Sequence, residues 1–147
     1  MKKIRLIWPG KTKERFIAEG MQKYLDMLRP YAKVEITELR EAKGDDAEKI
    51  REQEGKRIMK EQPAFVLLDE RGRHFSSMEF AGFLGEQPSP VSFVLGGAFG
   101  VSGSVRAAAR ETLALSRMTF THEMSRLILL EQIYRAFTIT HKRGYHH

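Results

Sequence analysis

Cysteine is absent from the 147 residues, which excludes disulfides and thiolate metal sites and is compatible with a reducing compartment. Long apolar runs are also missing. The opening stretch Lys3–Trp8 is too short for the apolar part of a secretion signal and is followed by charge. No run approaches the roughly 20 residues of a membrane span, so a cytoplasmic protein is expected. His122, His141, His146 and His147 follow no recognised metal-ligand spacing, and no metal is expected. Two nucleotide motifs fail as well. Gly10-Lys11-Thr12 has the ending of a phosphate-binding P-loop, but Arg5 stands where its first glycine is required. Gly96-Gly97-x-x-Gly100 departs from the dinucleotide spacing and falls late in the chain. No order of Ser, His and Asp identifies a nucleophilic triad. Repeats, low-complexity tracts and linkers are absent, so one domain spanning residues 1–147 is expected, long enough to bury a core without staples.

What the chain has in excess is positive charge: +6 formally, with a pI near 9.7. The charge concentrates at both ends, in Lys2, Lys3, Arg5, Lys11, Lys13 and Arg15 and again in Lys142 and Arg143. Such a balance fits a polyanionic partner such as nucleic acid, or a merely solvated basic surface.

Strand and helix patterns alternate. Lys3–Trp8 places charge opposite Ile4, Leu6 and Trp8 before Pro9-Gly10 breaks the strand. Thr12 is a candidate cap for a helix to Leu28, with Phe16, Gly20, Tyr24 and Met27–Leu28 on one stripe. Val34–Leu39 reads as a strand, Asp45–Lys60 as a charged, solvent-facing helix, and Ala64–Leu68 as a buried strand ending at Asp69. Ser76 or Ser77 caps the next helix, through Phe80 and Leu84. Val91–Leu95, Ser104–Arg110 and Thr112–Ser116 complete the alternation as strand, helix and strand. The pattern predicts a three-layer α/β fold with a mostly parallel sheet.

The last third is the most specific. Val94-Leu95-Gly96-Gly97-Ala98-Phe99-Gly100 is a strand running into a glycine turn that a helix should follow, a geometry that lets backbone approach a ligand closely. Thr112–Ser116 then exits toward a long helix. Two such strand exits point to a cofactor pocket at the carboxyl ends of the sheet. The helix Glu123–Thr140 is apolar nearly all round, so it needs cover on more than one side, and a second subunit is a natural cover. Its polar stripe is Glu131, Arg135 and Thr138. Arg135 is either half of a structural pair with Glu131 or a cation facing an active cleft.

Six motifs stand in order along the chain. The first three are Gly10-Lys11-x-Lys13, Val66-Leu67-Leu68-Asp69 followed by Gly72, and Gly96-Gly97-x-x-Gly100. They continue with Leu115-Ser116-x-Met118-Thr119-Phe120-x-His122, Glu131-Gln132-x-Tyr134-Arg135-Ala136-Phe137 and Tyr145-His146. In these motifs the chain resembles the RlmH (YbeA-type) methyltransferases of the SPOUT class. The resemblance covers essentially the whole chain. It implies an α/β domain with a C-terminal trefoil knot, acting as a homodimer. It also implies methyl transfer from S-adenosyl-L-methionine to N3 of a pseudouridine in large-subunit (23S) ribosomal RNA, on the assembled ribosome.

Carried over residue by residue, the resemblance puts the cofactor on Leu68, Gly96, Leu115, Ser116, Arg117, Met118, Thr119 and Phe120. It puts Arg135, Tyr145 and His146 around the target nucleotide. Gly144 stands where the family has proline, and Ala98-Phe99 where some relatives carry polar residues. An N3 imide must lose a proton before or during transfer, so orientation and a cation such as Arg135 would supply much of the acceleration. His146 is a candidate proton acceptor, or alternatively an RNA contact. A catalytically silent ribosome-binding relative and a small dinucleotide-binding protein are the competing functional classes.

Overall fold

Strand β1 (Lys2–Pro9) sets the architecture by alternation. Ile4, Leu6 and Trp8 point to one face of the sheet and Ile7 to the other, all of them buried. The computed structural model describes residues 1–147. Its elements follow in strict alternation: α1 (Arg15–Leu28), β2 (Ala32–Leu39), α2 (Ala47–Glu61), β3 (Val66–His74), α3 (Ser77–Glu86), β4 (Val91–Leu95), α4 (Gly103–Ala108), β5 (Glu111–Ala114) and α5 (His122–Thr140). The five strands lie in the order β2-β1-β4-β3-β5, and every pairing is parallel. Helices α1, α3 and α5 cover the face carrying Leu6, Leu68 and Phe93, whereas α2 and α4 cover the face of Ile7, Leu67 and Val94. The three layers expected from the alternation are therefore present. No helix is long and apolar enough to cross a membrane.

Several boundaries differ from the sequence reading, each for a local reason. Helix α1 begins at Arg15, and Thr12 does not cap it; its inner stripe is Ile17, Met21 and Leu28, while Phe16 is 60% exposed. Strand β5 ends at Ala114, so Leu115 and Ser116 already belong to the following loop. Strand β3 continues beyond Asp69 to His74, because after a register break Arg73 and His74 pair again with Leu113 and Ala114. Gly72 makes that turn possible: a Cβ there would lie 2.6 Å from the carbonyl carbon and oxygen of Thr112. Ser76, not Ser77, caps α3, in a reciprocal capping box with Glu79.

The apolar helix α5 finds much of its cover within the chain. Leu129, Leu130, Ile133 and Ala136 are buried in the main core, and α1 and α3 flank them. Leu130 is thus an interior residue and not a partner-facing one.

The first turn of α5 also anchors the backbone that leads into α1. The Glu123 carboxylate accepts from the backbone N–H groups of Lys13 and Glu14 at 2.9–3.1 Å. One turn on, Arg126 is fully buried. Its guanidinium donates to the Thr12 hydroxyl and the Pro9 carbonyl, both at 2.9 Å, and lies 4.8 Å over the Trp8 ring. Burial opposes ionisation of Glu123, but the Glu14 and Lys13 N–H groups and the Arg126 charge outweigh it and hold the carboxyl below its usual range.

A depressed folded-state pKa contributes stability above the unfolded value, and that contribution is lost as pH falls through the folded value. Glu123→Gln is therefore expected to lower the unfolding free energy by about 2 kcal/mol at pH 7. Urea denaturation across pH should show the gap between variant and wild type closing below about pH 4. A gap that stays constant into acid contradicts the ionic role of Glu123.

Candidate active site

The carboxyl ends of β3, β4 and β5 open into a cleft of about 440 Å³. Three segments form it. Leu68, Asp69 and Glu70 come from β3, residues 95–101 from the turn after β4, and residues 115–122, without 117, from the loop into α5, with Ser125 behind. This is where a parallel α/β sheet places its ligand sites.

The turn after β4 is built from close backbone approach. Gly97 and Gly100 pair as an isolated bridge, the Gly100 N–H donating to the Gly97 carbonyl at 3.0 Å. Gly100 has φ +79°, and a Cβ on Gly96 would lie 2.8 Å from the Gly100 carbonyl carbon. Any side chain at Gly96 thus collides with the turn itself rather than with an occupant of the cleft. Ser102 caps the helix that follows, accepting from the Val105 N–H at 3.3 Å. That helix, Gly103–Ala108, is shorter than the expected Ser104–Arg110.

The opposite wall is held by short polar contacts. Ser116 Oγ accepts from the Met118 N–H at 2.9 Å, which curls the loop after β5. Thr119 Oγ1 donates to Glu70 Oε2 at 2.7 Å and ties that loop to β3. Thr121 caps α5 by accepting from the Met124 N–H at 3.1 Å. Leu68, Leu115 and Phe120 are shared with an adjoining hollow of about 130 Å³ whose walls include Phe75, Phe80 and Ile128. At the mouth, Phe99 and Met118 are 52% and 75% exposed.

Leu68, Gly96, Leu115, Ser116, Met118, Thr119 and Phe120 therefore come together around one cavity, as the sequence reading grouped them. Arg117 does not join them: it is exposed and outside the lining.

Arg135, Tyr145 and His146 also come together, but elsewhere. Arg135 makes a paired contact with Glu131, Nε to Oε1 at 3.2 Å and Nη2 to Oε2 at 2.8 Å. Its Nη1 lies 2.9 Å from His146 Nδ1, and its guanidinium sits 4.8 Å over the Tyr145 ring. Tyr145 donates to Glu131 Oε2 at 2.7 Å, and its hydroxyl is 3.2 Å from that of Tyr24. Hydrogen bonding to Glu131 raises the pKa of Arg135. Burial, with Tyr24 and Glu131, holds the Tyr145 phenol well above its usual value. None of the three lines the cleft. From Ser125 at the cleft to Arg135 is ten residues of helix, about 15 Å along its axis. The structural Glu131–Arg135 pair is formed, and the cluster is built around it.

Two groups at or beside the cleft went unassigned in the sequence. His122, first residue of α5, lines the cavity. Burial and the nearby Arg126 hold its imidazole pKa below the ordinary value. Glu54 lies 5% exposed behind the glycine turn. Its Oε2 accepts from the Ala42 N–H at 3.1 Å and its Oε1 has no partner. Burial raises its pKa. No motif marks Glu54, one of many charges on α2; His122 closes a motif but has no patterned partner.

Comparison with known proteins agrees with this geometry. The family model described as "Predicted SPOUT methyltransferase" matches residues 1–146. A curated protein of Thermodesulfovibrio yellowstonii named ribosomal RNA large subunit methyltransferase H is 48% identical over 148 residues, covering 100% of both chains. The protein of the same name from Geotalea uraniireducens is 46% identical over 152 residues, covering 99% of each chain. Among solved structures, a probable methylase family protein from Haemophilus influenzae superposes with a TM-score of 0.58 at 11% identity, over 98% of this chain and 70% of that one. TrmJ from Z. mobilis does so at 0.51 and 15% identity, over 94% and 70%. These structural likenesses concern the fold, whereas the full-length sequence matches carry the family. The chain belongs to the SPOUT methyltransferase family.

Proposed function

We propose that the chain, acting as one domain over residues 1–147, methylates N3 of a pseudouridine in large-subunit (23S) ribosomal RNA on the assembled ribosome. The methyl donor would be S-adenosyl-L-methionine, and the protein would work in the cytoplasm where ribosomes are. The observation that carries this reading is the cleft at the ends of β3, β4 and β5 in a chain closely similar to proteins named for ribosomal RNA methylation. The residues present fit such a donor. The cavity of about 440 Å³ suits a ligand of that size. The bare backbone at Gly96–Gly97 leaves room for close approach, and the apolar hollow beside Leu68, Leu115 and Phe120 suits a purine ring. When bound, the donor supplies a methyl group on a sulfonium sulfur.

The chain's own part is to hold that group in line with the acceptor and to compensate the charge that develops on the imide. Leu68, Gly96 and the segment Leu115–Phe120 would hold the donor, with Arg117 acting from outside the cavity. Arg135, Tyr145 and His146 would meet the target nucleotide. Because these three sit about 15 Å along α5 from the cleft, a homodimer offers the route: one protomer's tail cluster can serve its partner's cleft. The outer face of α5 supports this, since Met124 and Ile128 remain partly exposed there beside Glu131 and Arg135, whereas Leu127 packs toward Gly20 of α1. Ile128→Glu is expected to convert a dimer to monomer in sedimentation velocity at micromolar concentration without unfolding it. A wild-type protein that sediments as a monomer overturns the dimer.

A C-terminal trefoil knot is supported by how β3 and β5 interlock. Gly72 packs directly against the Thr112–Leu113 backbone, Arg73 and His74 re-pair beyond it, and Thr119 bonds back to Glu70. Pulling single molecules by their termini should leave a contour length shorter than that of an extended chain. Full extension rules out the knot.

The function is tested by incubating ribosomes that lack the modification with labelled S-adenosyl-L-methionine and mapping the product by mass spectrometry. Label is expected at a pseudouridine N3, with naked RNA modified far less, because a small domain needs neighbouring ribosomal surface to position a loop. Arg135→Ala should slow the reaction by about 10²-fold and leave donor binding nearly intact. Gly96→Val should abolish donor binding by deforming the turn. Donor binding without label favours the silent ribosome binder, and binding of NAD instead favours the dinucleotide protein.

A further inference from the structure

We propose that His122 is the proton acceptor for the imide nitrogen that is methylated, an inference that rests on the functional reading above. His122 stands on the cleft wall at the first position of α5, between the loop 115–121 and Ser125. The strong hydrogen bonds of this helix start bypass it. Glu123 serves the Lys13 and Glu14 backbone, Arg126 serves Thr12 and Pro9, and the imidazole enters none of these contacts. A ring nitrogen of His122 is therefore free to meet a ligand.

The charges around the ring keep that nitrogen unprotonated near neutrality. Burial and Arg126 on α5 disfavour the imidazolium, as does Lys13 from the loop before α1. Glu123 beside it and Glu41 beyond β2 pull the other way without prevailing. A neutral imidazole with a free lone pair is the form a base requires.

The alternatives within the chain are less suited. A guanidinium only donates, so Arg135 Nη1 at 2.9 Å fixes His146 Nδ1 as an acceptor and places the ring proton on Nε2. In that arrangement His146 has no lone pair left to receive a proton. Of the carboxylates on the cleft wall, Glu70 accepts from Thr119 and Asp69 from the Arg71 N–H at 3.2 Å. Imidazole is also a closer match than a carboxylate to a weakly acidic imide.

The step balances without a further reagent. The N3–H bond breaks, leaving its electron pair on nitrogen and its proton on the free imidazole nitrogen of His122. That pair forms the N–CH₃ bond while the C–S bond breaks and its electrons stay on sulfur. The imidazolium then releases its proton to water.

The test pairs kinetics with a titration. Single-turnover methylation of unmodified ribosomes is followed from acid to alkaline pH for wild type and His122→Asn, with donor binding measured by calorimetry and folding by circular dichroism. The variant should bind S-adenosyl-L-methionine within about twofold of wild type. It should react about 10²-fold more slowly and lose the acid limb of the profile. Independently of turnover, carbon-13 imidazole spectra of the wild-type protein should show His122 titrating below the ordinary imidazole value. Its midpoint should fall further with the sulfonium-bearing donor than with uncharged S-adenosylhomocysteine, because a neighbouring cation disfavours the imidazolium.

A variant that reacts within about threefold of wild type with the acid limb intact overturns the proposal while leaving the methylation reading in place. So does an imidazole that titrates at the ordinary value and ignores the donor. Wild-type protein that binds the donor and leaves ribosomes unlabelled overturns the functional reading and this inference together.

Discussion

The anchoring of the first turn of α5 onto the loop between β1 and α1 is the contact on which the rest of the molecule depends. Glu123 holds the backbone that leads into α1, a helix with no side-chain cap of its own, and Arg126 fills the space beneath it, stacked on Trp8. A buried ion is expensive unless its hydrogen-bonding capacity is met. Here the Arg126 guanidinium is met by a hydroxyl, a carbonyl and a ring face, with only its Nε left without a partner. Because α1 and α5 share this joint, the strand-exit loop that precedes α5 has a fixed end. The segment 115–121 spans from the edge strand β5 to that joint, and its walls become one side of the cleft. The site is thus positioned by the packing of two helices rather than by the loop's own preferences.

From that joint, α5 runs between two differently built regions. At its start, His122 and Ser125 face the cleft, next to a cap and a glycine turn that present backbone rather than charge. Toward its end, Arg135 is neutralised by Glu131, covered by Tyr145 and bonded to His146. The two ends are suited to different partners. The first offers a preformed cavity with apolar walls and few charges. The second holds an arginine paired with a carboxylate and enclosed by an aromatic ring and the C-terminal residues. The basic stretches at both ends of the chain add a diffuse attraction toward a polyanion without choosing the nucleotide.

Much of the sheet was legible because its strands carry their burial in their composition. Val91–Leu95 is apolar but for Ser92, is buried throughout, and lies at the centre of the sheet with the bounds its residues suggest. Ser76 or Ser77 announces a helix start by residue type, and the reciprocal bonds with Glu79 decide for Ser76. The place of the cleft was legible because backbone-contact motifs sit at strand exits, which a parallel sheet gathers at one end; its individual residues came from the family resemblance. What escaped the sequence depends on distant partners. The phase of α1 is set by α5, so the inner residue is Ile17 rather than Phe16. The extension of β3 through Asp69–His74 is charged and looks like a loop until β5 pairs with it. Glu123 and Arg126 carry no motif that gives them a role, yet both are buried, their partners more than 100 residues away in the chain. The separation of Arg135 from the cleft is invisible to motifs, which record residue types and not the 15 Å or so of helix between them.

The most direct test of this account is where the uncharged product S-adenosylhomocysteine lands on the protein. Amide spectra recorded with and without it are expected to change at residues 68–70, 96–101 and 115–122, while the outer surface of α2 stays unaffected. Changes confined to α2 or to the basic termini, with the three cleft segments silent, would contradict the claim that the strand ends of β3, β4 and β5 form the methyl-donor site.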